Sequence, residues 1–179
     1  MPVLRALPWA LWAALALFSV ATYTTLPEMI RRDFDAAGNP TAMMQRSPWS
    51  WAMIPIIALV TQVGIAWTAA VLPRKPHLFN FSDKERFLRI PAAYQGPVIE
   101  KMREMLDITG AFTVLVFATV QVMVWRSAMG HAADGMSLGL ILVTVMFTPA
   151  ILILISRVNT AVEEAEKRWK SAEGEARGR

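Results

Sequence analysis

Four long stretches of the chain contain no charged side chain, and this feature constrains the fold more than any other. They cover residues 6–27, 47–73, 108–125 and 135–156 and hold 89 of the 179 residues. A helix with a wet face carries a charge there every turn or two, so these stretches cannot be amphipathic surface helices. A hydrocarbon core about 30 Å thick requires around 20 apolar helical residues, each rising 1.5 Å. The sequence therefore predicts an all-α membrane protein with four transmembrane helices.

The charges and prolines beside these stretches set the boundaries of the predicted spans. The spans are expected at residues 6–25, 48–72, 107–128 and 136–157. Three segments then lie outside the membrane: an outer loop at 24–47, an inner segment at 73–106 and a charged helical tail at 158–179. We expect residues 1–179 to form a single membrane domain.

Short interfacial helices are expected in the inner segment, and a helical extension is expected in the tail. Ser82 and Glu85 have capping-box spacing, which predicts a short helix that ends before Pro91, and Pro97 favours the start of another. In the tail, Glu precedes Lys or Arg by four residues three times, which predicts a helix ending at Gly174. An apolar stripe on this helix either packs on the inner segment or docks on a partner. Its members are Val158, Val162, Ala165 and Trp169.

The distribution of Lys and Arg predicts the orientation of the chain. Fourteen of the 18 basic residues lie before the first span, in the inner segment or in the tail, and four lie on the other side. Cytoplasmic loops are enriched in Lys and Arg, so both termini are expected in the cytoplasm. The basic inner surface also favours anionic lipid headgroups, and the high isoelectric point requires no nucleic-acid partner.

Tryptophan placement agrees with these spans. Six of the seven tryptophans lie toward span ends, where we expect their rings at headgroup level. These six are Trp9, Trp12, Trp49, Trp51, Trp67 and Trp125. The first span also resembles a secretory signal with a small-residue cleavage site at Ser19–Ala21, but Pro8 and two tryptophans favour a retained span.

The outer loop is expected to be an ordered, turn-rich excursion. Met29, Ile30 and Phe34 have helical spacing, and Gly38 is expected to end a short helical turn before the chain reverses. The loop is either an interfacial cap or a ligand site. The residues that would recognise a ligand there are Arg31, Arg32, Asp33, Phe34 and Asp35.

The predicted spans carry no chemistry typical of pumps or membrane enzymes. None of the four charge-free stretches contains an ionisable side chain, and His77 and His131 lie outside them. Proton relays, intramembrane proteases and haem sites require such groups at depth, and metal sites require clusters of His, Cys or carboxylates. We therefore expect no catalytic residues, no cofactor and no metal, and the chain is not predicted to be an enzyme.

A few polar and small residues in the spans are predicted to pack helices together. Gln62 and Gln121 are expected at depths about 10 Å apart, so each should bond a neighbouring backbone rather than the other amide. Gly64 and Thr68 are small residues four apart that permit close helix contact. Gln62, Gly64 and Gln121 are therefore candidate interhelical packing residues.

The outer loop contains a series of residues that matches a known pattern: Leu26, Pro27, Ile30, Phe34, Gly38 and Pro40. With these residues it resembles a bacterial membrane domain of unknown function, which also forms the N-terminal part of Sdp-type bacteriocin-immunity membrane proteins. That domain carries Leu-Pro, Ile-Pro, a His-Phe-Asn-like step and then Gly-x-Pro. Asp33 stands in place of the usual histidine, and Arg31 in place of a proline. The resemblance implies a bacterial inner-membrane protein and a role in sensing or immunity.

The leading functional hypothesis is a non-catalytic inner-membrane protein that serves as an accessory or scaffolding subunit of a larger assembly, respiratory or photosynthetic. Its expected partners are the lipid bilayer, anionic lipids included, and a membrane protein or a second copy of the chain. The alternative is a toxin-immunity or signalling receptor of the Sdp type. Transport of a small neutral solute is a third hypothesis, and no sequence feature favours it.

Overall fold

The computed structural model describes residues 2–35, 40–81, 83–130 and 136–177. It contains helices α1 (Pro2–Tyr23), α2 (Pro48–Val71), α3 (Lys84–Arg89), α4 (Ala92–Ala128) and α5 (Met136–Arg177). Strands β1 (Met29–Phe34) and β2 (Pro40–Gln45) lie between α1 and α2, and a 3₁₀ turn (Pro76–Leu78) precedes α3. Four of the helices, α1, α2, α4 and α5, are long and apolar enough to cross a membrane. The predicted helical, multi-pass architecture is confirmed at this level.

The start of α2 follows directly from its local sequence. Ser47 precedes the helix, and its Oγ accepts a hydrogen bond from Ser50 N at 3.0 Å, while Ser50 Oγ accepts one from Ser47 N at 3.1 Å. This reciprocal pair satisfies donors that have no partner within the helix. Pro48 follows at the first helical position, where its missing N–H costs nothing.

Helix α4 is longer than the sequence predicts. We expected a helix to open at Pro97, but α4 begins at Ala92 and runs without interruption for 37 residues. Pro97 lies in its second turn, where only one backbone bond is lost, and Gln95 Nε2 donates to Ile90 O at 2.7 Å beside the helix start. At 1.5 Å per residue α4 is about 55 Å long, well beyond a 30 Å core.

Helix α5 is longer than α4 and continues beyond its predicted end. It spans 42 residues to Arg177, so the predicted termination at Gly174 is wrong. A Cβ at Gly174 would meet nothing within 4 Å, and glycine without a left-handed conformation does not end a helix by itself. The apolar stripe predicted in the tail packs within the chain. Val158, Val162 and Ala165 are buried in a cluster with Val98 and Met102 of α4.

Three apolar clusters hold the helices together along the bundle axis. The first lies among the second half of α5, the first half of α4, the end of α2 and α3, with Phe87 completely buried. The second joins Leu15 of α1, Ala58 of α2 and Val114 of α4 at mid-height. The third lies at the opposite end and includes Leu26 and Trp51. Because α4 contributes to all three, it is the central helix against which α1, α2 and α5 pack.

The outer loop forms a β-hairpin, so the helical structure expected from the spacing of Met29, Ile30 and Phe34 is wrong. Strands β1 and β2 pair antiparallel, with Met29 opposite Gln45 and Ile30 opposite Met44. Ile30 is completely buried against the third cluster, while Met29 is half-exposed, which is the alternation of a strand. The spacing of Met29, Ile30 and Phe34 suits a helix or a strand, and pairing with β2 selects the strand. The predicted turn at Gly38 lies outside the described residues, as does the capping residue Ser82.

The start of α1, the end of α2, the start of α4 and the end of α5 share one end of the bundle, which we call the basic end. The hairpin occupies the other, which we call the hairpin end. The chain contains no cysteine, so single cysteines can test which end is cytoplasmic. Met43→Cys lies on the hairpin, where Met43 is 53% exposed, and Ser171→Cys lies on exposed α5 surface at the basic end.

If the basic end is cytoplasmic, an impermeant maleimide added to intact spheroplasts labels Met43→Cys and labels Ser171→Cys only after the membrane is opened. Mass spectrometry of the purified variants quantifies the labelling, with the cysteine-free parent as control. Labelling of Ser171→Cys in intact spheroplasts contradicts the predicted orientation.

Candidate functional site

The hairpin is fastened to the bundle by Arg46, which follows β2. Arg46 N donates to Glu28 O at 2.7 Å and so extends the pairing of the two strands. Its Nη1 donates to Leu26 O at 2.6 Å, and the guanidinium lies 5.5 Å from the centroid of the Tyr23 ring. An Arg over an aromatic face adds a cation–π attraction. Arg46 therefore ties the end of α1 to the start of α2.

The residues predicted to recognise a ligand lie on this hairpin. The backbones of Arg31, Arg32, Asp33 and Phe34 belong to β1, and their side chains lie outside the described part of the structure. Asp35 follows the strand and is exposed. The structure thus places the five residues together at one edge of the hairpin end, on an element that Ile30 anchors.

Side chains of α1 and α4 hydrogen-bond to the backbone of α2 around a proline. Pro55 has no N–H, so Trp51 O has no helical donor four residues later. Gln121 Nε2 of α4 approaches this oxygen at 3.4 Å, and Gln121 is completely buried. Trp12 Nε1 of α1 donates to Pro55 O at 3.0 Å. A bilayer offers no water to satisfy such groups, so neighbouring helices must do so.

Trp12 and Trp51 point their rings into the bundle, a direction that the prediction for rings near span ends did not specify. Trp51 is 4% exposed, and its Nε1 donates to Ser19 O of α1 at 2.7 Å. By contrast, Trp49 and Trp67 are 73% and 68% exposed, as membrane-facing rings are. Position near a span end does not reveal which side of the helix a ring occupies. That depends on where α1 packs.

Gln121 bonds a backbone oxygen of α2, as predicted for it, whereas the Oε1 atom of Gln62 is buried without a hydrogen-bond partner among the described residues. Gln62 packs against Gly110, where a Cβ would lie 2.6 Å from Gln62 Oε1. Gly64, predicted to permit close contact, is exposed, and a Cβ there would meet nothing within 4 Å. Within the described part of the chain, the small residue that admits a neighbouring helix is therefore Gly110 rather than Gly64.

An apolar groove of about 380 Å³ lies between α1 and α2 in the half nearer the hairpin. Trp12, Ala16 and Tyr23 line one wall, and Trp51, Pro55 and Leu59 line the other. The indole bonds described above hold the two walls in place. We call this cavity the α1–α2 groove.

At the basic end, charged side chains join α3 to α5. Arg86 Nε of α3 donates to Glu166 Oε2, and Lys170 Nζ lies 2.6 Å from Glu166 Oε1. Arg86 Nη1 lies 3.8 Å from Glu163 Oε1. The hydrogen bonds from Lys170 and Arg86 lower the pKa of Glu166, and the bond to Glu166 raises the pKa of Arg86. We call these four residues the α3–α5 brace.

A second polar contact at the basic end involves the end of α2. Arg103 Nε of α4 donates to Ala69 O at 3.1 Å, which satisfies a carbonyl in the last turn of α2. A cavity of about 240 Å³ beside it is lined by Arg5, Lys101 and Glu104, among others, with Lys101 Nζ 2.7 Å from Glu104 Oε2. Three basic and three acidic side chains line the cavity, so its formal charge is zero.

The arrangement offers packing and recognition surfaces. No group of three or more His, Cys, Asp or Glu that could hold a metal occurs among residues 2–35, 40–81, 83–130 and 136–177. His77 is exposed in the 3₁₀ turn, and His131 lies outside the described residues. Sequence reasoning missed Arg46, Tyr23 and Gly110. For Arg46 and Tyr23, the sequence offered one indication of their contact: both lie near predicted span ends on the same side of the membrane.

Comparison with known proteins identifies no relative. No family model matches the chain, and neither a curated protein nor a solved structure is significantly similar to it. The resemblance to the Sdp-type domain therefore stays a prediction.

The contact between Gln62 and Gly110 yields a stability prediction. Relative to Gly64→Ala, we expect Gly110→Ala to lower the free energy of unfolding by about 1–3 kcal/mol, because the new Cβ forces the buried Gln62 amide to move. Combining it with Gln62→Ala should restore part of that loss. Gly64→Ala is the matched control and should be neutral or slightly stabilising, because nothing lies near it and Ala favours a helix.

Circular dichroism during denaturant titration in detergent measures all four proteins. Equal effects of Gly110→Ala and Gly64→Ala, or no relief from Gln62→Ala, would show that the two helices do not meet at Gly110.

The α3–α5 brace predicts a pH dependence. The folded pKa of Glu166 is lowered, so its contribution to stability is present above the unfolded carboxyl value, about 4.3, and is lost as pH falls through the folded pKa. Glu166→Gln removes this contribution at all pH values. Glu164→Gln is the control, because Glu164 pairs with Arg168 on its own helix.

We expect Glu166→Gln to increase hydrogen–deuterium exchange of residues 84–89 at pH 7, and Glu164→Gln to leave it unchanged. The midpoint of thermal unfolding of wild type should approach that of Glu166→Gln as the pH is lowered below 4. A constant difference from pH 7 to pH 3 argues against the brace.

Proposed function

We propose that this chain is a non-catalytic inner-membrane protein that serves as an accessory or scaffolding subunit of a larger membrane assembly. One observation carries the proposal: α5 packs chiefly on α4 and leaves a broad apolar face on its other side. Leu142, Val145, Met146, Leu152 and Ile153 on this helix are each more than half exposed. We call these five residues the α5 face.

The environment of α5 distinguishes it from α1 and α2. Those two helices pack on each other as well as on α4, and indole hydrogen bonds join them. Within the membrane-spanning part, the described contacts of α5 include one stacked ring pair, Phe112 and Phe147, with centroids 3.7 Å apart. A helix attached along one side is suited to receive a transmembrane helix of a partner on the other.

The basic end supports the same proposal. Helices α4 and α5 both extend beyond the length that a membrane requires, and the α3–α5 brace and the first apolar cluster hold them together. The extension of α5 carries charged side chains in the sequence region predicted to be cytoplasmic. It gives an assembly a stiff, charged surface outside the membrane, next to the α5 face.

A toxin-immunity or signalling receptor of the Sdp type is the second candidate. The hairpin supports it, because buried Ile30 and the Arg46 hydrogen bonds hold β1 in one position on the bundle. A preorganised strand of this kind loses less conformational entropy on binding a peptide than a mobile loop does. Arg31, Arg32, Asp33, Phe34 and Asp35 would then form the recognition edge.

Site-specific photo-crosslinking in native membranes distinguishes these candidates. A photoreactive phenylalanine replaces Met146 on the α5 face, where the native side chain is 73% exposed. Val60 on α2 is the matched control, since it is 67% exposed on another membrane-facing side. A scaffold subunit should give one discrete protein adduct from Met146 and lipid adducts from Val60.

The photoreactive phenylalanine in place of Met43 tests the receptor proposal. A receptor should be crosslinked to a small secreted peptide at the hairpin. Gentle solubilisation with a tagged chain provides the second measurement. Purification of a monomer without any other protein, together with only lipid adducts at position 146, would contradict the scaffold proposal.

A further inference from the structure

The α1–α2 groove has the length of one leaflet of a bilayer. It follows α1 from Trp12 to Tyr23 and α2 from Pro48 to Leu59, each a rise of about 16 Å. Half of a 30 Å hydrocarbon core is about 15 Å. The groove therefore extends from the headgroup level at the hairpin end to near the middle of the membrane.

The groove is apolar and opens sideways. Val20 and Ile56 on its rim are 75% and 37% exposed, so a molecule in the surrounding bilayer can enter without passing through water. Its polar groups are committed elsewhere: the indoles of Trp12 and Trp51 donate to backbone oxygens of the facing helices. An occupant of the groove therefore needs an apolar chain and no hydrogen-bonding groups along it.

Arg46 places a positive charge beside the mouth of the groove. Tyr23 and Pro48 line the end nearest the hairpin, and Arg46 lies two residues before Pro48 with its guanidinium 5.5 Å from the Tyr23 ring centroid. One guanidinium N–H donates to Leu26 O, and the group has five such donors in all. Arginine binds phosphate oxygens through paired, charge-assisted hydrogen bonds.

From these observations we infer that the α1–α2 groove binds one acyl chain of an anionic phospholipid from the leaflet at the hairpin end, with its phosphate on Arg46. Length, lateral opening and charge at the mouth each match such a lipid. The bound chain covers apolar surface between two helices, and the phosphate contact orients the lipid toward the hairpin. This makes the groove a specific lipid site, distinct from the α5 face.

Native mass spectrometry of the purified full chain tests this inference. The protein is incubated with equal amounts of phosphatidylglycerol and phosphatidylcholine that carry the same acyl chains. Wild type should retain one phosphatidylglycerol in preference to phosphatidylcholine. Arg46→Gln should lower that preference about fivefold, the effect of one basic side chain near a membrane surface. Arg126→Gln removes a charge from the same end of the bundle and should leave the preference unchanged.

A second pair of variants tests the acyl chain and does not depend on Arg46. Ala16→Leu fills the groove and should lower retention of both lipids several-fold, because the displaced acyl chain loses its van der Waals contacts with the two helices. Ala13→Leu, at an exposed position of α1 outside the groove lining, should leave retention unchanged. This pair decides the question even if Arg46→Gln does not fold.

Several results would overturn the inference. The two lipids share a phosphate and differ in net headgroup charge, so equal retention by wild type contradicts selection of an anionic headgroup by Arg46. Equal retention by Ala16→Leu and Ala13→Leu removes the acyl chain from the groove. A dimer that Ala16→Leu disrupts would place a second copy of the chain there instead. Co-purification of an isoprenoid in place of phospholipid would assign the groove to a different ligand class.

Discussion

The structure depends on satisfying backbone polar groups where the solvent offers no hydrogen bonds. Pro55 leaves Trp51 O without its helical donor, and Gln121 of α4 approaches that oxygen. The indoles of Trp12 and Trp51 join α1 to α2 in the same region, each through a bond to a backbone oxygen. These contacts fix the spacing of three helices, and van der Waals packing around Ala58 and Val114 completes the interface.

That arrangement explains why the molecule is asymmetric. Helices α1 and α2 share α4 and contact each other, and the bonds between them hold open a groove on the membrane side. Helix α5 lies on another side of α4 and is held mostly beyond the membrane, by the cluster around Phe87 and by the α3–α5 brace. The two proposals therefore concern two different surfaces that this packing leaves exposed: the groove between α1 and α2 for a lipid, and the α5 face for a partner.

Local sequence predicted some features and could not predict others, for physical reasons. The charge-free stretch predicted the second span, and the cap at Ser47 and Pro48 that begins α2 depends on only four residues of local sequence. The hairpin was missed because Met29, Ile30 and Phe34 have spacings that suit a helix or a strand, and only pairing with residues 40–45 selects the strand. Pro97 was expected to begin a helix and Gly174 to end one, but α4 begins at Ala92 and α5 continues to Arg177, because neither residue imposes a boundary when the neighbouring turns are helical. Trp51 was expected at the interface, and its burial depends on where α1 lies.

The sequence by itself determined that four helices long and apolar enough to cross a membrane would form. The absence of charge over about 20 residues excludes helices with a solvent-exposed face. It also indicated that Gln62 and Gln121 would act separately. Only the tertiary structure decided that Gly110, not Gly64, admits a neighbouring helix, that Arg46 lies over Tyr23, and that a groove remains between α1 and α2. Those features depend on helix rotation and register. All faces of a membrane helix are apolar, so its sequence pattern does not specify which face turns inward.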